Sequence, residues 1–180
     1  MSSDTAGAAE AVAPPHAAFD FDSAFHANYE RISRVIVRVL GDKARAEDLA
    51  VEAFWRLWRS PSAHNEAHGG WVYRTAVRLA LDELRRRARR ERYERVLTVF
   101  RGPRTPDEAY ATTEEQRRVR MVLAALSRQH AVMLVLHSDG ASYEEIAAAA
   151  SVNPSSVGTL LARARQAFRK EYVRRHGDRT

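Results

Sequence analysis

The stretch Ser142-Tyr143-Glu144-Glu145-Ile146-Ala147-Ala148-Ala149-Ala150-Ser151-Val152-Asn153-Pro154-Ser155-Ser156-Val157 decides the fold. Ser142 and Glu145 have the spacing of a capping box: the hydroxyl can satisfy the Glu145 amide while the Glu145 side chain reaches back. The short helix that starts there carries Ile146, Ala147 and Ala150 on its apolar side. Ser151-Val152-Asn153 makes a tight turn. Asn153 can cap a second helix with Pro154 at its first position, where a missing amide costs nothing. That helix buries Val157, Leu161, Ala164 and Phe168. A short helix, a three-residue turn and a longer helix describe a helix-turn-helix. An ordinary helical hairpin has the same outline. The trailing Arg163, Arg165, Arg169 and Lys170 favour the DNA-binding form.

Working outward, apolar spacing stays helical almost throughout, and no segment alternates with period two. A helix over about Arg128 to His137 precedes the motif and ends at Asp139-Gly140. Before it, Val119, Val122, Leu123 and Leu126 form another helical stripe. Further upstream, Phe25, Tyr29, Ile32, Ile36 and Val39 share one stripe that stops at Gly41-Asp42. A second helix turns Leu49, Ala53, Phe54, Leu57 and Trp58 inward and stops near Ser60-Pro61. After a polar loop ending in Gly69-Gly70, a third helix begins near Trp71 and runs through Ala76, Ala80, Leu84 and Ala88. Gly102, Pro103 and Pro106 break the pattern between the two sets. The expected architecture is all-α: a tail over 1–18, one helical domain over 19–95, a flexible linker over 96–113, a second helical domain over 114–175 and a tail over 176–180.

Composition narrows the function. The 180 residues carry a formal net charge of +6, and the sequence pI is about 10.1, which favours a polyanionic partner. Lys43 and Lys170 are the only lysines, so the basic character is almost all arginine, a choice that a GC-rich genome also produces. The absence of cysteine excludes a disulfide framework, a zinc finger and a thiol switch. No apolar run is long enough to span a membrane. The Ala/Pro/Ser-rich start lacks a basic segment followed by an apolar core, so a disordered tail and a cytosolic location are expected.

Three segments in order resemble the extracytoplasmic-function sigma factors of the sigma-seventy family. Arg45-Ala46-Glu47-Asp48-Leu49 through Glu52-Ala53-Phe54-Trp55-Arg56-Leu57-Trp58 resembles the polymerase-docking helix of region two. Trp71-Val72-Tyr73-Arg74-Thr75-Ala76 through Leu84-Arg85-Arg86-Arg87 resembles the promoter-melting helix. Gly140 to Arg169 resembles the helix-turn-helix of region four. The resemblance implies an initiation factor that binds core RNA polymerase and promoter DNA and takes neither cofactor nor small-molecule substrate. It would do no chemistry of its own, and an anti-sigma factor is a candidate partner. It assigns core-polymerase binding to Asp48, Val51, Glu52, Trp55 and Arg56. Downstream-promoter binding falls to Trp71, Tyr73, Arg74, Arg78, Arg85, Arg86 and Arg89. Upstream DNA contacts fall to Ser155, Ser156, Thr159, Arg163 and Arg165.

The residues support these roles on their own terms, each beside a plainer alternative. Asp48, Val51, Glu52 and Trp55 share one helix face; an acidic pair beside an exposed tryptophan suits a basic partner helix. A solvated acidic face would look the same. Arg85, Arg86, Arg87, Arg89, Arg90, Arg92 and Arg95 surround the third helix, more arginines than helix-dipole complementarity requires; phosphate binding accounts for the excess. Trp71 and Tyr73 can stack on an unpaired base or belong to the core, and for Trp71 core is preferred. The Gly-rich end of the loop before Trp71 would let backbone approach nucleic acid closely. His64 and His68 stand four apart, a spacing ascribed to chance rather than metal binding.

The chain departs from the family pattern at three places. Val51 stands where the family usually has glutamine, Arg78 where it often has asparagine, and Gly158 and Leu160 where lysine and arginine are frequent. Hydroxyls on the early recognition helix specify bases weakly beside a bidentate arginine. These departures motivate a second reading, a sigma-like adaptor that acts through protein contacts with little promoter recognition of its own.

Overall fold

The computed structural model describes residues 19–64, 67–98 and 113–177. The expected tail over 1–18, most of the expected linker and residues 178–180 lie outside them. Within the described residues the fold is all-α, built from seven α-helices in chain order. They are α1 (Phe21–Leu40), α2 (Lys43–Trp58), α3 (His68–Thr98), α4 (Glu114–Ala125), α5 (Arg128–Ser138), α6 (Tyr143–Ala150) and α7 (Val157–His176). Single 3₁₀ turns at Pro61–Ala63 and Pro154–Ser156 precede α3 and α7.

Side-chain caps set the starts of most helices. Asp20 accepts from the Ser23 N–H at 3.0 Å, Asp42 from Arg45 at 2.9 Å and Ser127 from His130 at 3.2 Å. The capping box forms: Ser142 Oγ accepts from Glu145 N–H at 3.2 Å, and the Ser142 N–H donates to Glu145 Oε2 at 2.7 Å. α1 ends where Gly41 adopts φ +69° and its N–H donates to Val37. A β-carbon at Gly41 would meet only the flexible guanidinium end of Arg120 on α4, so it is the positive φ that favours glycine there.

Ile32, Ile36, Phe54, Leu57, Val77 and Leu81 are buried among α1–α3, while Met133, Leu136, Ile146, Val157 and Leu161 are buried among α5–α7. Each such side chain contributes roughly 1.5–3 kcal/mol. The two sets join in one continuous apolar cluster, because α4, α5 and α6 pack along α3. Three local expectations are corrected. α3 starts at His68, so Gly69 and Gly70 lie in its first turn rather than in a loop; a β-carbon at Gly69 would meet Asn28 Oδ1 at 3.0 Å. α3 also continues past Arg95 to Thr98, into the expected linker. Trp58, expected inward, is 45% exposed and sets its ring edge-on to Phe21 at the end of α2.

Candidate nucleic-acid and partner interfaces

α2 presents an outer face opposite Leu49, Ala53 and Phe54. Val51 is 55% and Trp55 54% exposed on it. Asp48 pairs with Arg45 at 3.2 Å and Glu52 with Arg56 at 2.6 Å. The Arg59 guanidinium lies 4.7 Å from the Trp55 ring centroid, covering one side of the indole. An exposed apolar pair framed by fixed charges is a surface suited to a partner helix.

α3 behaves differently. Tyr73 is buried, and its hydroxyl donates to the Asp139 carboxylate. Burial pushes the phenol pKa up, and the hydrogen bond and charge of Asp139 add to that shift. Arg31 lies over the same ring at 4.2 Å. Arg74 donates to the Ala148 carbonyl at 2.8 Å and Arg78 to that of Ala149 at 2.7 Å. Burial lowers the Arg74 pKa, with Arg78 a second cause. Arg85 donates to Leu126 O at 3.3 Å. Arg86 is exposed and pairs with Glu83, Arg89 is exposed, and Trp71 is half-buried against the cluster. Arg87 bridges Glu83 at 3.2 Å and the α2 cap Asp42 at 2.8 Å, an intrahelical and structural role. Hence Tyr73, Arg74, Arg78 and Arg85 all meet groups from α4–α6.

The helix-turn-helix closes through Ser151, which takes φ +57°, and through Val152, whose N–H donates to Ala147 O at 3.0 Å. Asn153 Oδ1 accepts from the Ser155 amide at 3.0 Å and from its hydroxyl at 2.7 Å. Val157, Leu161 and Ala164 are buried; Ser155, Gly158, Thr159, Arg163 and Arg165 are exposed; Ser156 and Leu160 are half-buried. Arg165 lies 3.1 Å from His137 Nε2, tied to α5. Phe168, expected in the core, is only half-buried and stacks beside Tyr172. His64 and His68 both pack on the Phe19 ring, and His64 Nε2 is 2.8 Å from Leu57 O.

The sequence reading left out three residues that the geometry brings forward: Arg31, Arg38 and Asp139. Asp139-Gly140 was legible only as a helix end, and α1 offered an apolar stripe whose polar side carried no signal.

Family comparison follows the same partition. The family model for Sigma-70 region 2 matches residues 24–90, and the one for Sigma-70, region 4 matches residues 116–168. The chain belongs to the sigma-70 family. It is 30% identical to the ECF RNA polymerase sigma factor SigE of Mycolicibacterium smegmatis, over 89% of this chain and 64% of that protein. It is 25% identical to the ECF RNA polymerase sigma factor SigW of Bacillus subtilis, over 79% of this chain and 83% of that one. The sigma factor RpoE from Bartonella quintana, solved in complex with the anti-sigma factor NepR, superposes with a TM-score of 0.52 at 17% identity, covering 84% of this chain and 96% of that chain. That likeness speaks to fold. The chain spans 64% of the length of SigE and 55% of that of SigI from Mycobacterium tuberculosis. In family terms, α1–α3 carry region 2 and α4–α7 carry region 4. No helix among the described residues is long and apolar enough to cross a membrane.

Proposed function

We propose that this chain is an RNA polymerase sigma factor of the extracytoplasmic-function group, acting in the cytosol by binding rather than by catalysis. The observation that carries the reading is the pairing of both sigma-70 regions, in order, with an outward helix-turn-helix. Core polymerase would dock on the outer face of α2 through Val51 and Trp55, with Asp48, Glu52 and Arg56 meeting basic and acidic groups around them. Arg74, Arg78, Arg85, Arg86 and Arg89 on α3 supply cations for promoter phosphates, and Tyr73 and Trp71 supply rings for an unpaired base. α7 would enter upstream DNA through Ser155, Ser156 and Thr159, with Arg163 and Arg165 on phosphates.

Adding the purified chain to core polymerase with a library of promoter-length DNA should yield transcripts sharing an upstream and a downstream element. A chain that binds core polymerase with polymerase-level affinity yet starts no transcript would favour the adaptor reading. That second reading draws on the recognition helix, which offers hydroxyls and Gly158 at its exposed early positions.

A further inference from the structure

We infer that the outer end of α3 is a second DNA site, where Arg86, Arg89, Arg90 and Tyr93 grip the backbone of duplex DNA about one helical turn away from the bases that open at Trp71. The inference rests on the reading of the Trp71 end of α3 as the promoter-melting end.

The match to region 2 stops at residue 90, yet α3 runs on to Thr98. Successive residues of an α-helix turn by about 100°. Arg86, Arg89 and Arg90 therefore fall within roughly 60° of Tyr93, on one face. Tyr93 is 71% exposed, more than any other large apolar side chain among the described residues. Arg86, Arg89 and Arg90 are exposed beside it. Glu91 is the one acid between Leu84 and Tyr93. It falls on the opposite side of the helix and meets Arg117 of α4 at 4.0 Å.

The charges of this face are uncommitted. Arg89, Arg90 and Arg92 make no hydrogen bond or ion pair among the described residues, and Arg86 holds only Glu83, one turn before it. Arg74, Arg78, Arg85 and Arg87, by contrast, are each held by a carbonyl or a carboxylate. The helix dipole does not account for the free ones, because its effect is confined to the last turn and α3 ends at Thr98. A tyrosine so exposed contributes little packing. Its hydroxyl and the three guanidinium groups are donors of the kind that bind phosphate oxygens.

The helix also fixes the distance. From Trp71 to Tyr93 is about 33 Å along α3, or about ten base pairs of duplex. Single-strand platforms offer rings to successive bases, and among the described residues this face offers one ring amid cations. It therefore fits paired DNA outside the opening. Arg86 and Arg89 belong with Arg90 and Tyr93 in this contact, well away from Trp71. A duplex held at the outer end of a continuous helix gives the opening at Trp71 a fixed edge.

The test uses the polymerase holoenzyme assembled with the full chain, on promoter DNA recovered from the transcription library. The chain has no cysteine of its own, so Arg92→Cys and Gly70→Cys, both at exposed positions, can each be labelled with iron–EDTA before assembly. Radicals from the label cut nearby DNA backbone, while permanganate marks unpaired thymines. The Gly70→Cys label should cut within the unpaired segment, and the Arg92→Cys label should cut paired DNA about ten base pairs away. Cuts from the Arg92→Cys label confined to unpaired bases overturn the duplex assignment. Cuts from the Gly70→Cys label alone overturn the site. Silence from both labels on a promoter that opens overturns the reading of α3 as a DNA-binding helix, and the inference with it. In a second arm, Arg90→Ala with Tyr93→Ala should weaken holoenzyme binding about tenfold and lower its salt slope by roughly one unit. Tyr93→Phe should lose as much as Tyr93→Ala, because the hydroxyl makes the contact. Unchanged affinity and slope in the double variant, or full retention by Tyr93→Phe, overturn the phosphate grip.

Discussion

Gly158→Lys places one side chain where the structure leaves room for it, so both of its effects can be worked out beforehand. Gly158 lies in the first turn of α7 with ordinary helical backbone, and a β-carbon there meets nothing nearer than the Tyr143 ring at 3.8 Å. Lysine ranks close to alanine in helix propensity, so the replacement should stabilise the fold by about 1 kcal/mol. For a chain of this size that is roughly 2–4 °C in melting temperature. The ammonium would stand on the exposed face beside Ser155 and Thr159, one turn before Arg163. If that face lies in the major groove, the lysine adds one phosphate contact or one guanine contact. The first steepens the salt dependence of duplex binding by about one unit, and the second is worth roughly 1–3 kcal/mol at one base pair. Melting by circular dichroism and salt-dependent anisotropy of the polymerase holoenzyme on promoter DNA measure the two effects separately. A lower melting temperature would refute the helical-room argument. A raised one with no change in slope or specificity would show that the face does not meet DNA.

Two further outcomes test other parts of the molecule. Trp55→Ala should weaken binding to core polymerase by about 2 kcal/mol if the indole is a central anchor, read by competition for core enzyme, while melting temperature stays within a degree or two because Trp55 is exposed; a preserved affinity removes α2 from the docking surface. Asp42→Ala should cost about 1 kcal/mol of stability through the lost α2 cap. The Arg45 N–H first, and Arg87 after it, hold the Asp42 carboxyl below its ordinary range, so its contribution is full above the unfolded value and is lost as pH falls through the lower folded one. Asp42→Asn should keep most of the cap and flatten that acid-side loss; equal acid sensitivity in wild type and variant would refute the assignment.

The helix-turn-helix was legible because its signals are local. A capping box, a turn and an Asn-Pro start each fix backbone within four residues; the box and the turn form as spaced, while Asn153-Pro154 opens a 3₁₀ turn that leads into α7 at Val157. The buried stripe of α1 belongs to the same class, whereas Trp58 on α2 and Phe168 on α7 were expected inward and are not buried. The third helix misled in two ways. Gly69-Gly70 reads as a loop by propensity, yet both fall in the first turn of α3, where Gly69 packs against Asn28. The charged residues of α3 look like a solvent-facing or phosphate-facing set because a list of arginines carries no direction. Only the fold reveals that Arg87 serves the α2 cap while Arg74, Arg78 and Arg85 face the carbonyl ends of α4 and α6. Asp139 was illegible for the same reason: its partners are 66 residues away or more.

The departure at Arg78 acquires a reason from this geometry. Where sigma factors of this group often carry asparagine, the longer arginine spans from α3 to the Ala149 carbonyl at 2.7 Å. An asparagine reaches about three bonds less far and could not make that contact without moving the helices together. Arg78 thus makes a contact to α6 that promoter binding would have to release, and Arg78→Asn separates the two roles. If Arg78 serves mainly to close the chain, the variant should lower energy transfer between dyes on the two domains while the holoenzyme opens promoters as well as before, since asparagine is the residue the group commonly uses. One hydrogen bond from a charged donor is worth about 1.5–3 kcal/mol before solvent screening, and Arg78 is partly solvated, so a shift of about threefold to tenfold in the closed-to-open ratio is expected. Loss of promoter opening with unchanged energy transfer would reverse the assignment and return Arg78 to the DNA.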